Sequence, residues 1–312
     1  MERNRKNNDK YKLAITGANG FVGKNLSFFL NNTKQFEIYS INLRENWAIK
    51  EDTHAIIHLA GIAHDLKKVN NPSVYYEINY NLTKHVFDKF LNSNTNIFIY
   101  ISSIKAVSDH SDIPISEDLI ANPITDYGKS KLLSENYILS KLNGLINKKV
   151  YILRPTMIYG PGNKGNLTLL YSFVSKNLPW PLASFNNNRS FCYIKNFCFV
   201  INKMLISNVK SGIYNVCDDE CISTNELVDI IASTNESKPI LLFLPKSIVI
   251  FIGKIGDHFS NTFNSERLKK LTENFVVNNS KLRSQLNSKM PYTPREAFIE
   301  TFLFYKKESK SI

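Results

Sequence analysis

The stretch Ile15-Thr16-Gly17-Ala18-Asn19-Gly20-Phe21-Val22-Gly23, which runs on from Leu13-Ala14, decides the fold of this chain. Leu13-Ala14-Ile15 reads as a buried strand, and Phe21, Val22, Leu26, Phe29 and Leu30 then recur at helical spacing. Three glycines, spaced Gly-x-x-Gly-x-x-Gly, stand where the strand must turn into that helix. Gly17 allows the sharp turn, Gly20 lets the backbone approach a pyrophosphate, and Gly23 lets the helix pack close against the strand. A pyrophosphate placed there meets the unpaired N–H groups of a helix start. The stretch therefore reads as a dinucleotide site opening a βα unit.

Working outward, apolar runs alternate with helical periodicity as a doubly wound parallel sheet requires. Strand candidates follow at Glu37 to Ile41, His54 to Leu59, Ile97 to Ser102 and Val150 to Leu153. Val74, Ile78, Leu82, Val86 and Phe90 form one apolar stripe after Pro72 and predict a helix. The interval from Asn42 to Thr53 is too short for a further strand and helix, so the sheet is expected to lack one crossover. Beyond residue 155 the pattern changes to short strand candidates, Phe191 to Ile194 and Gly212 to Val216. Helix candidates there are Leu167 to Lys176, Phe197 to Ile206 and Thr224 to Ala232. The fold class is thus α/β, with residues 11–160 mainly nucleotide-binding. Residues 161–312 are expected to be mainly a smaller C-terminal substrate lobe, some of whose segments return to the sheet.

Composition bounds the alternatives. A chain of 312 residues with 43% hydrophobic residues can bury a large core. Residues 1–10, MERNRKNNDK, carry no secretory signal and read as a disordered tail, so a cytoplasmic location is expected. The most apolar region, Pro239 to Ile255, is broken by Pro245, Lys246 and Lys254 and falls short of the ~20 apolar residues that a membrane span needs. A buried lobe element is expected there in preference to a membrane-surface contact. The net charge of +12 suits acidic partners, but the cations are scattered and form no block interleaved with aromatics, so nucleic acid is not expected as a partner. Cys192, Cys198, Cys217 and Cys221 lack paired metal-ligand spacing and read as reduced packing residues; no metal is expected.

The chemistry rests on Tyr127-Gly128-Lys129-Ser130-Lys131. Tyr127 and Lys131 lie four apart on a predicted helix, hence on one face and one turn apart. A nearby ammonium favours the phenolate and brings the tyrosine toward a working pKa. Ser103, at the end of a predicted strand, stands where a parallel sheet presents ligand-facing groups. Together with the glycine turn, this set predicts hydride chemistry on an alcohol or ketone, with Ser103, Tyr127 and Lys131 as catalytic residues.

Those residues, with His58-Leu59-Ala60-Gly61, Asn79, Ser102-Ser103, Leu153-Arg154-Pro155 and Arg189-Ser190-Phe191, resemble the extended short-chain dehydrogenase/reductase family in its nucleotide-sugar epimerase/dehydratase/reductase branch. The resemblance covers nearly the whole chain and implies a Rossmann sheet that binds NAD or NADP. It implies cofactor contacts from Gly17, Asn19, Gly20, Phe21, Val22 and Gly23, and from Asn42 and Arg44. Leu59, Ala60, Gly61, Asn79, Ser102, Tyr127, Lys131 and Pro155 complete the cofactor set. Ser103, Asn166, Leu167, Arg189 and Arg267 are implied for the substrate, the arginines near its phosphates.

Ser102-Ser103-Ile104-Lys105, the run from Tyr159 to Leu167, and Asn188-Arg189-Ser190-Phe191 look most like bacterial surface-polysaccharide enzymes. Those enzymes reduce a UDP-4-keto-6-deoxy-N-acetylhexosamine or carry the label of UDP-hexose 4-epimerases. Asn42 stands where an acid would take the ribose hydroxyls of NAD, and Arg44 suits the 2′-phosphate of NADP, which tilts the expectation toward a reductase. Ile104 and Lys105 replace the Asp-Glu pair of dehydratases. A non-catalytic NAD(P)-sensing or RNA-binding relative is the reading from another class, and the intact Ser103, Tyr127 and Lys131 argue against it. A nucleotide sugar, UDP-linked, is the expected partner; the oligomeric state is left open, a homodimer among the options.

Overall fold

The computed structural model describes residues 10–62, 71–111, 113–145, 147–259 and 264–310. The expected tail, residues 1–10, lies outside them except for Lys10. In chain order the first half runs β1 (Tyr11–Thr16), α1 (Phe21–Asn32), β2 (Phe36–Ile41) and β3 (Thr53–His58). A turn of helix, α2 (Ser73–Tyr75), passes through a π-helical stretch, Tyr76–Asn81, into α3 (Leu82–Leu91). Then come β4 (Ile97–Ile101), a 3₁₀ turn at Ile104–Ala106, α4 (Asp126–Ser140), β5 (Lys149–Pro155) and β6 (Met157–Tyr159). The second half holds α5 (Asn166–Val174), β7 (Phe191–Tyr193), α6 (Ile194–Ile206), β8 (Gly212–Val216) and α7 (Thr224–Thr234). It ends with α8 (Lys246–Phe259), α9 (Ser265–Thr272), α10 (Ser280–Leu286) and α11 (Pro294–Lys310).

Six strands form one parallel sheet in the order β2-β1-β3-β4-β5-β8. Its central strands are buried on both faces, which is why they read as unbroken apolar runs. The chain leaves β1 toward β2 and returns on the other side to β3, so a crevice opens at the carboxyl ends of β1 and β3. β8 brings a late segment back to the sheet edge beside β5. A small parallel pair, β6 and β7, stands apart from it.

No strand or helix intervenes between β2 and β3, as the short interval implied. Trp47 fastens this crossover: its carbonyl accepts from Lys89 Nζ at 2.9 Å, and the same ammonium lies 4.2 Å from its ring centroid. Two expectations need correction. The apolar segment from residue 239 to 255 is not a buried element: Phe243 is 72% and Phe251 63% exposed, and α8 buries only a narrow stripe of small side chains. Cys221 is exposed and not a packing residue, unlike Cys192, Cys198 and Cys217. Its polarity is met at the surface by Ser190 Oγ at 3.4 Å.

The ends of β1 and β3 are tied by a fully buried histidine. Thr83 Oγ1 gives its one proton to Asn79 O (2.7 Å), so at 2.9 Å it accepts from His58 Nε2–H. His58 Nδ1 is left as the acceptor for the Thr16 hydroxyl at 2.7 Å, and Thr16 Oγ1 in turn accepts from Ala60 N at 3.2 Å. Every member is satisfied only if the ring is neutral. Burial, with the Lys131 ammonium as a second cause, lowers the His58 pKa to about 3. A depressed pKa means the unfolded chain takes up a proton that the folded chain refuses, so stability falls as pH drops from about 6.5 toward about 3. A His58→Asn variant keeps a donor and an acceptor but has no proton to gain. It is expected to be less stable than wild type at pH 7.5 in urea unfolding, yet to lose less between pH 7 and pH 4; equal losses would refute the assignment.

Candidate active site

The glycine turn is built for close approach. Gly17 holds φ +70, and a Cβ there would sit 2.8 Å from Ala60 N, so β3's exit loop runs directly against the turn. A Cβ at Gly23 would lie 2.5 Å from Gly17 O, which seats α1 on the strand end. The N-terminus of α1 begins at Phe21 with Gly20 as its cap, no side-chain capping bond and no acid in its first turn. Its N–H groups are thus left for a ligand, and they favour an anion. Asn19, Phe21 and Val22 stand at this helix start, and Leu59-Ala60-Gly61 forms the facing wall. The cradle fits a dinucleotide pyrophosphate.

Gly61 is narrow for a second reason: a Cβ there would lie 2.9 Å from Asn79 Oδ1 and 3.3 Å from Lys131 Nζ. Asn79, buried in the π-helical stretch, accepts from Ile62 N at 2.8 Å and donates to Ser130 Oγ at 3.1 Å. One amide therefore joins the loop after β3 to α4. The irregular helix has a function: the π turn aims this side chain at both partners.

α4 begins with Thr125, whose side chain caps Gly128 N at 3.2 Å, and Asp109 holds the preceding backbone through Ile124 N and Thr125 N. Gly128 packs directly on the Lys105 carbonyl, so close that any Cβ would overlap it. That contact locks the turn bearing Ser103 to the turn bearing Tyr127. Ser103 is buried and extended, and its Oγ accepts from Lys105 N at 3.2 Å, leaving the hydroxyl proton for a ligand oxygen. Tyr127 is partly exposed and meets the Tyr75 ring edge-on at 6.1 Å. Lys131, one turn on, is fully enclosed and donates to Ile101 O at 2.9 Å, at the end of β4. Burial lowers its pKa to about 8, against the upward pull of Glu135, so it is charged at neutral pH.

Ser102 faces the other way. Its hydroxyl donates to Glu135, which is gripped by Arg154 through Nε at 3.0 Å and Nη2 at 2.6 Å, a buried pair linking α4 to β5. Pro155 ends β5 beside Val216 of β8.

Arg189, implied for the substrate, is partly buried, bridges Ile222 and Phe275, and reaches Glu273 O at 3.3 Å. Lys105 was not foreseen as a site residue. It is tethered to Asp109 O at 2.6 Å, lies 4.7 Å over the Phe275 ring, and faces the positive charges of Arg189 and Lys270. Burial lowers its pKa, with those two cations adding to the shift and Asp109 opposing it. Acids accompany these cations: Asp109 lies 3.7 Å from Lys105 Nζ, Glu266 lies 2.9 Å from Lys270 Nζ, and Glu273 acts on Arg189. The signal was present in Ser103-Ile104-Lys105 but read only as the absence of an acid pair. Arg267 sits exposed on α9, one turn before Lys270, so the structure brings Lys270 rather than Arg267 to this cluster. Asn166 opens α5 and is exposed, whereas the Leu167 side chain enters the core.

At the end of β2, Asn42 Nδ2 donates to the carboxylate of Glu45, and Asn42 Oδ1 accepts from Arg44 N at 3.2 Å. Asn42, Arg44 and Glu45 form one exposed turn, so an acid does stand near this strand end, three residues later than expected. Among the described residues no group of His, Cys, Asp and Glu could hold a metal ion.

The chain is similar to UDP-glucose 4-epimerase of Vibrio cholerae, 28% identical over 93% of this chain and 94% of the relative. It is also similar to GDP-6-deoxy-D-mannose reductase of Pseudomonas aeruginosa, 24% identical over 71% of this chain and 79% of the relative. Its fold matches UDP-glucuronic acid 4-epimerase of Bacillus cereus in complex with NAD. That match has a TM-score of 0.75 and 17% identity, over 95% of this chain and 99% of the other. Residues 13–217 match the family model described as NAD dependent epimerase/dehydratase. The glycine cradle, Ser103, Tyr127 and Lys131 all lie inside that span, and the chain belongs to the NAD dependent epimerase/dehydratase family.

Proposed function

We propose that this chain is an NAD(P)-dependent oxidoreductase acting at C4 of a UDP-linked sugar, reducing a 4-keto-6-deoxy-N-acetylhexosamine for surface polysaccharide. The observation that supports this reading is that Gly128, next to Tyr127, seats on the carbonyl of Lys105, two residues from Ser103, while Lys131 Nζ lies against Gly61 in the wall facing the glycine cradle. The cradle would hold NAD or NADP, which when bound supplies the hydride. Tyr127 gives its hydroxyl proton to the C4 oxygen as that oxygen gains charge. The Lys131 ammonium, fixed by Ile101 O, stabilises the phenolate that remains, and Ser103 donates a hydrogen bond to the same oxygen. Lys105, Arg189 and Lys270 hold the diphosphate.

Arg44 at the β2 turn supports an exchangeable, 2′-phosphorylated cofactor and hence a reductase. A second reading, 4-epimerase, is favoured by the Vibrio relative that spans nearly all of both chains, and by Glu45 in the same turn. A cytoplasmic location accompanies either reading.

A Tyr127→Phe variant is expected to bind cofactor as wild type does while turnover falls on the order of 10²- to 10⁴-fold, the usual worth of a positioned proton donor. Steady-state rates within a few-fold of wild type would remove Tyr127 from the mechanism. Lys105→Met should weaken binding of UDP by about 10-fold or more in calorimetry and leave NADPH affinity unchanged, since a charged hydrogen bond is worth ~1.5–3 kcal/mol. Unchanged UDP affinity would take Lys105 out of the phosphate site. Given a UDP-4-keto-6-deoxy-N-acetylhexosamine, the protein should oxidise added NADPH or NADH one for one. It should not interconvert UDP-glucose with UDP-galactose, or their N-acetylated counterparts, without added cofactor. Interconversion without added cofactor, with about one NAD released per denatured chain, would establish the epimerase instead.

A further inference from the structure

The segment from Ser237 to Gly256 exposes apolar surface that the catalytic reading does not use. Ile240, Leu241, Leu242 and Phe243 are exposed in the approach to α8, and Ile248, Phe251, Ile252 and Ile255 are exposed on the helix itself. The spacing of those four on α8 is i, i+3, i+4, i+7, one continuous stripe. It is not the stripe that holds α8 to the protein. The inward stripe is Val249, Gly253 and Gly256, and a Cβ at Gly253 would come within 3.1 Å of Leu268, so small residues let α8 lie close on α9. The helix therefore has two apolar faces: one thin and seated, the other broad, aromatic and turned to solvent.

Charge identifies the occupant. Between Glu236 and Asp257, which bound it, the segment carries Lys238, Lys246 and Lys254 and no further acid, within a protein of net charge +12. Lys246 and Lys254 fall on the helix flank away from the apolar stripe, and Lys246 lies 5.6 Å over the Phe185 ring. A second copy of the chain would bring like charges together, whereas an anionic lipid surface meets both features at once. No described helix is long and apolar enough to cross a membrane.

We infer that α8 and the run before it form a docking surface for an anionic membrane, with Phe243, Phe251 and the isoleucine stripe entering the headgroup boundary and the lysines meeting lipid phosphates. The surface includes none of the residues assigned to the reaction.

The test is co-sedimentation of the full chain with vesicles of phosphatidylglycerol and phosphatidylcholine against vesicles of phosphatidylcholine alone. Binding is expected to the anionic vesicles and to be at least about 10-fold weaker to the neutral ones. Phe243→Ser/Phe251→Ser should cut binding about 10-fold or more, and Lys238→Glu/Lys246→Glu/Lys254→Glu on the order of 100-fold, from about fivefold per lysine. Circular dichroism and melting temperatures matching wild type confirm that both variants fold. The inference is overturned by a folded aromatic variant that binds vesicles as well as wild type does, or by no binding of wild type to anionic vesicles. It is equally overturned if sedimentation equilibrium finds a wild-type dimer that Phe243→Ser/Phe251→Ser dissociates, without vesicle binding, for the face then belongs to a second copy.

Discussion

The arrangement of the site depends on one enclosed ion pair. Glu135 on α4 and Arg154 on β5 are both cut off from solvent and meet through three hydrogen bonds, with the Ser102 hydroxyl completing the carboxylate's shell. Removing either partner of such a pair leaves a bare buried charge and costs about 3–5 kcal/mol, so the pair is a strong geometric constraint even where its net stabilisation is small. It fixes how α4 is rotated against the sheet. Lys131, one turn earlier, then points at the end of β4, and Tyr127 lies a further turn back, next to the Gly128 that seats on the Lys105 carbonyl.

The same low-dielectric interior sets the charges that the chemistry uses. His58 and Lys131 are both buried near the ends of β3 and β4, and the structure treats them oppositely. His58 is saturated by two threonine hydroxyls in a way that only the neutral ring satisfies, so it adds no second cation beside Lys131. Lys131 keeps its proton at neutral pH because one backbone carbonyl and the more distant Glu135 offset part of the desolvation. Further along the cleft, Lys105 is steadied by Asp109 and an aromatic face while its charge stays directed toward Arg189 and Lys270. In the proposed reading the two sets of phosphates meet different groups, uncapped helix N–H groups for the cofactor and side-chain cations for the substrate.

Much of this was legible in the chain itself, because each signal was local. Strands buried on both faces must be apolar throughout, so β1, β3, β4 and β5 announced themselves to within two residues. A turn that admits no Cβ must be glycine, so Gly17 and Gly23 located the cradle. A residue pair four apart on a helix shares a face, so Tyr127 and Lys131 were found together. The short interval after Ile41 left no room for another strand and helix, and the structure has neither there.

What remained hidden depends on residues distant in sequence. Nothing near Glu135 or Arg154 reveals that they are partners, nor that Trp47 holds a crossover against Lys89 in place of a helix. Lys105 looks like any lysine until folding sets it beside Arg189 and Lys270, more than 80 residues away in sequence. The apolar run through α8 has the composition of a core element. Only the packed chain shows that α9 accepts its small residues and leaves its large ones outside. The sequence by itself determined the fold class, the glycine cradle and the shared helix face of Tyr127 and Lys131, since these follow from backbone geometry and helical period. Tertiary structure alone decided which charges meet and which apolar face is covered, because both are set by distances between segments that no local pattern encodes.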